Sequence, residues 1–141
     1  MEKKFLLNLQ AYLAPLVAET VVIYDSNSDH VKPFIGLGIA KFEVHPVLDG
    51  CGEVEGEIVV CYNGTQDPDL ASDDAANVLK AALRSSDLTT ALNAPVSGID
   101  GRPGKPFHLE ELRITGTERV NEDLDTYITI FYSAFIADVN G

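Results

Sequence analysis

The stretch that most constrains this chain runs over residues 34–62. Two runs rich in β-branched and aromatic residues, 34–47 and 52–62, meet at Leu48-Asp49-Gly50-Cys51, which reads as one long β-hairpin. The pattern also bears on register. A two-residue Asp49-Gly50 turn would set Val44 opposite Glu55 and His45 opposite Val54, facing every polar residue with an apolar one. A three-residue loop, Leu48-Asp49-Gly50, with Gly50 in the left-handed region, sets Val44 against Val54, Phe42 against Gly56 and Ala40 against Ile58. The other face then carries His45 with Glu53, Glu43 with Glu55, and Lys41 with Glu57. A slip of one residue turns every side chain over, so the pattern favours the three-residue loop. Toward the base the hairpin is apolar on both faces, which predicts burial on both sides. Toward the tip one face is acidic, with Glu43, Glu53, Glu55 and Glu57, and the other carries a narrow stripe of Phe42, Val44 and Val54. Either the same chain covers that stripe or a second protomer does, and the stripe is the candidate oligomer interface.

The remaining elements follow in order. Phe5, Leu9, Tyr12, Leu13 and Leu16 recur at helical spacing, predicting an amphipathic helix over 3–19 whose regular part Pro15 ends near Ala14. A short strand is expected over 20–24. Ser72 as N-cap, with Asp73 and Asp74 in the first turn, opens a second helix whose face is Ala75, Val78, Leu79, Ala82 and Leu83. A short third helix is expected from Ser86 to Leu92. Residues 93–106 hold three prolines and three glycines, together with Arg102 and Lys105; they form a loop and a candidate partner-binding segment. Residues 107–120, with Gly116 as a bulge, turn at Asn121-Glu122-Asp123 into a second strong strand over 124–139. That last strand is apolar on both faces, with Tyr127, Phe131 and Phe135 opposite Ile128, Ile130, Tyr132 and Ile136. The reading is a single α+β domain, 1–141: an antiparallel or mixed sheet of two hairpins with two main helices on one face, a protruding hairpin at 34–62 and a flexible loop at 93–106.

Chemistry is thin along the sequence. The chain has 141 residues and a net charge of −12, which opposes a direct grip on phosphate. No apolar run reaches the roughly 20 residues of a membrane span, and no leader is recognised, so no membrane contact is expected. Gly36 and Gly38 lack the third glycine and the helix of a dinucleotide loop; close packing against Tyr62 or a helix explains them better. His30, His45 and His108 have no metal-ligand spacing, and Glu110 and Glu111 point to opposite sides of a strand. No catalytic, cofactor or metal residues emerge. Cys51 and Cys61 lie ten positions apart on one strand, about 33 Å at strand rise, so both are expected as free thiols.

The order of elements resembles the tail terminator, or tail-completion, proteins of long-tailed bacteriophages. The likeness rests on the amphipathic first helix, the Pro33-Phe34-Ile35 strand start, and the hairpin ending Ile58-Val59-Val60-Cys61-Tyr62. It extends through the alanine-rich helix at 75–83 and the final apolar strand. The resemblance implies a structural virion protein, assembled in the host bacterial cytoplasm, with no enzymatic activity and no cofactor. It implies a homo-oligomer, a hexameric ring, that caps the tail tube protein and meets the head connector protein while DNA passes through without specific binding. In such a ring the face with Glu43, Glu53, Glu55 and Glu57 would border the channel or simply be solvated. Alternatives are another tail or head–tail joining protein, or a small ligand-binding or enzymatic domain with its pocket under the 93–106 loop.

Overall fold

The computed structural model describes residues 2–23, 31–44, 51–63, 71–93, 108–122 and 124–137. Helix α1 spans Glu2–Leu13 and passes into a 3₁₀ turn, Ala14–Leu16. Pro15 sits at the start of that turn, where its missing N–H costs no hydrogen bond, and the chain is extended by Val17. The helix therefore stops where proline chemistry requires, and it does not reach Glu19. Strand β1 is Thr20–Ile23, β2 Phe34–Val44 and β3 Cys51–Asn63. Helices α2, Ala71–Arg84, and α3, Ser86–Asn93, precede the long strands β4, His108–Glu122, and β5, Asp125–Ala137. One mixed sheet results, ordered β1-β2-β3-β5-β4, with β1 parallel to β2 and the other pairs antiparallel. The expected α+β fold is present, with its two hairpins fused through β3 and β5.

The hairpin register differs from the expected one. Val44 pairs with Gly52, Phe42 with Val54, Glu43 with Glu53 and Lys41 with Glu55. The faces near the tip are those the pattern demanded, but the strands are displaced by two residues. Between Ile39 and Lys41 the register shifts, so Leu37 meets Ile58, and Ala40 is a bulge rather than a partner of Ile58. The reason lies in the sequence of β2. Ile35, Leu37 and Ile39 occupy one parity and Phe42 the other, so strict alternation from Ile39 would drive Lys41 and Glu43 into the core. One extra residue restores the match. Residues 45–50, including the turn and His45, lie outside the described residues, as do Tyr24, His30 and the side chains of Val44 and His108.

The described hairpin also does not protrude from the sheet. β3 is paired with β5 along its whole length, from Cys51 with Ala137 to Asn63 with Asp125. Both cysteines lie on β3 as free thiols, and burial pushes the Cys61 thiol up to about 11.

All three helices pack on one face. Phe5, Leu9 and Leu13 of α1, Ala75, Ala76, Leu79 and Leu83 of α2, and Leu88 and Leu92 of α3 join one cluster with Ile35, Leu37, Ile58, Val60, Ile130 and Ile136 of the sheet. The alanines of α2 allow the close approach to the sheet that their small volume suggests. Val54 is fully buried in this same cluster, and Phe42 packs partly buried against it. The stripe of Phe42 and Val54 is thus covered by its own protomer, which corrects the expectation of an exposed interface. The hairpin's apolar stripe is simply the tip end of the core.

Two glycines of β3 make that covering possible. A Cβ at Gly52 would lie 2.7 Å from the Phe42 ring, and one at Gly56 would lie 2.3 Å from the Tyr132 ring. Each aromatic ring therefore packs directly against a glycine of the neighbouring strand, with Val54 between the two glycines. Gly38, by contrast, would make only ordinary contact with Glu57, at 3.7 Å. The glycines that admit close packing against a ring are Gly52 and Gly56; Gly38 does not.

Tyr132 is the one side chain among the described residues with a buried polar atom that has no hydrogen-bond partner. Its ring packs tilted against Phe5, with centroids 6.1 Å apart. Burial, reinforced by the Glu57 carboxylate, pushes the phenol well above its usual range. A buried hydroxyl without a partner costs about 1–3 kcal/mol. Tyr132→Phe keeps the ring over Gly56 and removes the orphan, so denaturant unfolding is expected to show a gain of about 1 kcal/mol.

Candidate interaction face

Beneath the helices lies the core; among the described residues no helix covers the opposite side of the sheet. β5 shows the division clearly, because buried and partly exposed positions alternate along its whole length. Thr126, Ile128, Ile130, Tyr132, Ala134 and Ile136 point under the helices, and Tyr127, Thr129, Phe131, Ser133 and Phe135 are half-buried on the other side. The pairing of strands extends each of these positions into a row across the sheet. Glu43, Glu53, Phe135 and Glu111 form the row nearest the hairpin tip. Lys41, Glu55, Ser133 and Arg113 form the next, followed by Gly38, Glu57, Phe131 and Gly116. The surface is thus a strip of aromatic rings set in acidic groups.

The sequence expectation placed Glu43, Glu53, Glu55 and Glu57 on one face, and the structure brings them together there. Glu43 opposes Glu53, a like-charge pair, where Glu55 was expected. Lys41 answers it from its own strand, with Nζ 2.8 Å from Glu43 Oε1, and this hydrogen bond raises the lysine pKa above its usual value. On β4, Arg113 donates from Nη2 to Glu111 Oε1 at 2.7 Å. From β5, Ser133 Oγ donates across to Glu53 Oε1 of β3 at 3.0 Å. Among the described residues no cation comes within ion-pair distance of Glu53, Glu55 or Glu57.

Two shallow hollows lie side by side on this face. One, of about 360 Å³, is lined by Glu53, Glu111, Arg113, Thr115, Ser133 and Phe135. The other, of about 310 Å³, is lined by Ala40, Glu55, Gly56, Thr115, Phe131, Tyr132 and Ser133. Thr115 reaches both because a register shift between Ile114 and Gly116 places it opposite no residue of β5. Sequence reasoning noted the aromatics of the last strand but not their union with the acidic ladder. The signal was available: the alternation Glu53, Glu55, Glu57 and the alternation Tyr127, Phe131, Phe135 belong to adjacent strands.

The base of this face is closed differently. Phe34 and Cys61 are buried there, outside the helix-side cluster, beside Tyr127 in register. Lys32 caps them. Its Nζ lies 2.5 Å from Asp125 Oδ2, donates to Tyr127 Oη at 3.1 Å and sits 5.2 Å from the centre of that ring. Hydrogen bonds to Asp125 and Tyr127 raise the lysine to about 12. A group whose pKa rises on folding stabilises the fold fully below its unfolded value, and that contribution fades as pH climbs through the folded one. Lys32→Met is expected to cost about 1 kcal/mol at neutral pH. Its deficit relative to the parent should shrink between pH 10.5 and 12, as followed by denaturant midpoints.

Among the described residues no group of three or more His, Cys, Asp or Glu side chains is arranged to hold a metal ion, and no helix is long and apolar enough to cross a membrane. Arg102 and Lys105, with residues 94–107, lie outside the described residues. No protein-family model matches the chain. No curated protein matches it either.

Among solved structures, it resembles one chain of the virion of the native gene transfer agent (GTA) particle. The likeness runs over most of both chains. The superposition covers 95% of this chain and 93% of that one, with a TM-score of 0.55 and 16% sequence identity. At that identity the likeness concerns the fold.

Proposed function

We propose that the chain is a structural protein of a phage-like particle and, within that class, a tail terminator. In that role a hexameric ring of this protein caps the tail tube protein, joins it to the head connector protein, and lets DNA pass without specific binding. The observation that carries this reading is the shared fold over nearly the full length of both chains with a component of a GTA virion. The acidic face and the net charge of −12 fit a protein near which DNA slides rather than sticks. Arg102 and Lys105 remain candidate contacts to the tube or connector.

Native mass spectrometry of the purified protein at micromolar concentration tests the reading. Closed rings of one stoichiometry, hexamers foremost, are expected, together with caps on tube ends seen by electron microscopy when tube protein is added. A chain that stays monomeric both alone and with tubes would remove the terminator role.

A further inference from the structure

We propose that the sheet face opposite the helices is a docking surface for a different protein chain, one that presents basic side chains and seats them in the two hollows lined by Phe131 and Phe135. The apolar half of the argument is the strip itself. Half-buried aromatic rings that each form part of the wall of a hollow, on a sheet face that no described helix covers, offer stacking area for a partner. The ionic half selects that partner. Glu53 rims one hollow and Glu55 the other, neither is within ion-pair distance of a cation among the described residues, and each hollow has a phenylalanine in its wall. An arginine or lysine fits both demands at once, with its stem against the ring and its charged end at the carboxylate.

The same charges argue against other occupants. A second copy offering this face would bring Glu53 and Glu55 against their own kind. Lys32, Lys41, Arg113 and Arg119 are already tied to carboxylates of their own chain. Nucleic acid is repelled by the acidic ladder. The proposal does not depend on ring formation, which native mass spectrometry measures separately.

The test uses the full chain, isotope-labelled for NMR, and a synthetic peptide of alternating threonine and valine with two arginines four residues apart. That spacing is about 13 Å in a strand, the distance along β5 from Phe131 to Phe135. Expected are salt-sensitive binding, chemical-shift changes confined to the rows containing Phe131, Ser133 and Phe135, and at least tenfold weaker binding by Glu53→Lys/Glu55→Lys. Both glutamates are exposed, so the variant keeps its fold, which its spectrum reports. Absence of binding, binding that survives the charge reversal, or shifts on the helix side would each overturn the proposal. So would a change in the association state of the variant by sedimentation, because the face would then belong to an interface between copies.

Discussion

Replacing Val54 with aspartate is expected to unfold the protein. Val54 has no exposed surface, and in register it lies between Phe42 and Ala134 under the helix layer. A carboxylate there finds no described cation, and burying such a charge costs about 3–5 kcal/mol, comparable with the whole stability of an ordinary domain. Circular dichroism of the variant should show loss of the cooperative transition at any protein concentration. A folded variant that had lost only its ability to associate would instead make Val54 an interface residue, and the packing described above would be wrong.

The second large effect is expected at Gly56. An added methyl would meet the Tyr132 ring at 2.3 Å, and that ring is buried and packed against Phe5. Gly56→Ala should therefore cost about 3 kcal/mol, even though alanine in a strand recovers some backbone entropy. The control is Gly116→Ala, where the nearest atom is a Phe131 carbon at 3.9 Å and the change should be close to neutral. A double variant with Tyr132→Leu sharpens the test. It opens the space that the methyl needs, so the double change should cost less than the sum of the two single ones. Additive losses would show that the glycine serves something other than the ring.

These two positions also show what the sequence could tell and what it could not. The alternation Gly52-Glu53-Val54-Glu55-Gly56-Glu57 announced a strand with one acidic face, and the structure has it. The helices at 71–84 and 86–93 followed from their alanine and leucine spacing, and Pro15 marked the end of α1. What escaped was the register between strands and the contacts that depend on it. The bulge at Ala40 is visible in β2 only when one asks which parity its apolar residues follow on each side of Ile39. The seating of Phe42 on Gly52 and Tyr132 on Gly56 needed a register that the turn sequence did not supply. The candidate face was half legible for the same reason. Its glutamates come from β3 and its aromatics from β5, segments more than sixty residues apart, and nothing local says that they meet. Lys32 with Asp125 and Tyr127 is a still longer connection, from a polar residue that looked like part of a loop.

The position of β5 between β3 and β4 has a consequence for how the chain is made. A ribosome releases β3 long before the strand that must lie beside it, and β4, its eventual outer neighbour, emerges first without touching it. Until β5 arrives, β3 carries an open edge with Ile58 and Val60 under no finished sheet. Helices α1 and α2 can form early from local contacts, yet the sheet is completed only when the β4–β5 hairpin, made after them, adds to the β3 edge. Nascent chains of this topology are exposed to edge pairing with one another until β5 has been made, so crowding several of them on one messenger should favour aggregates over single folded copies.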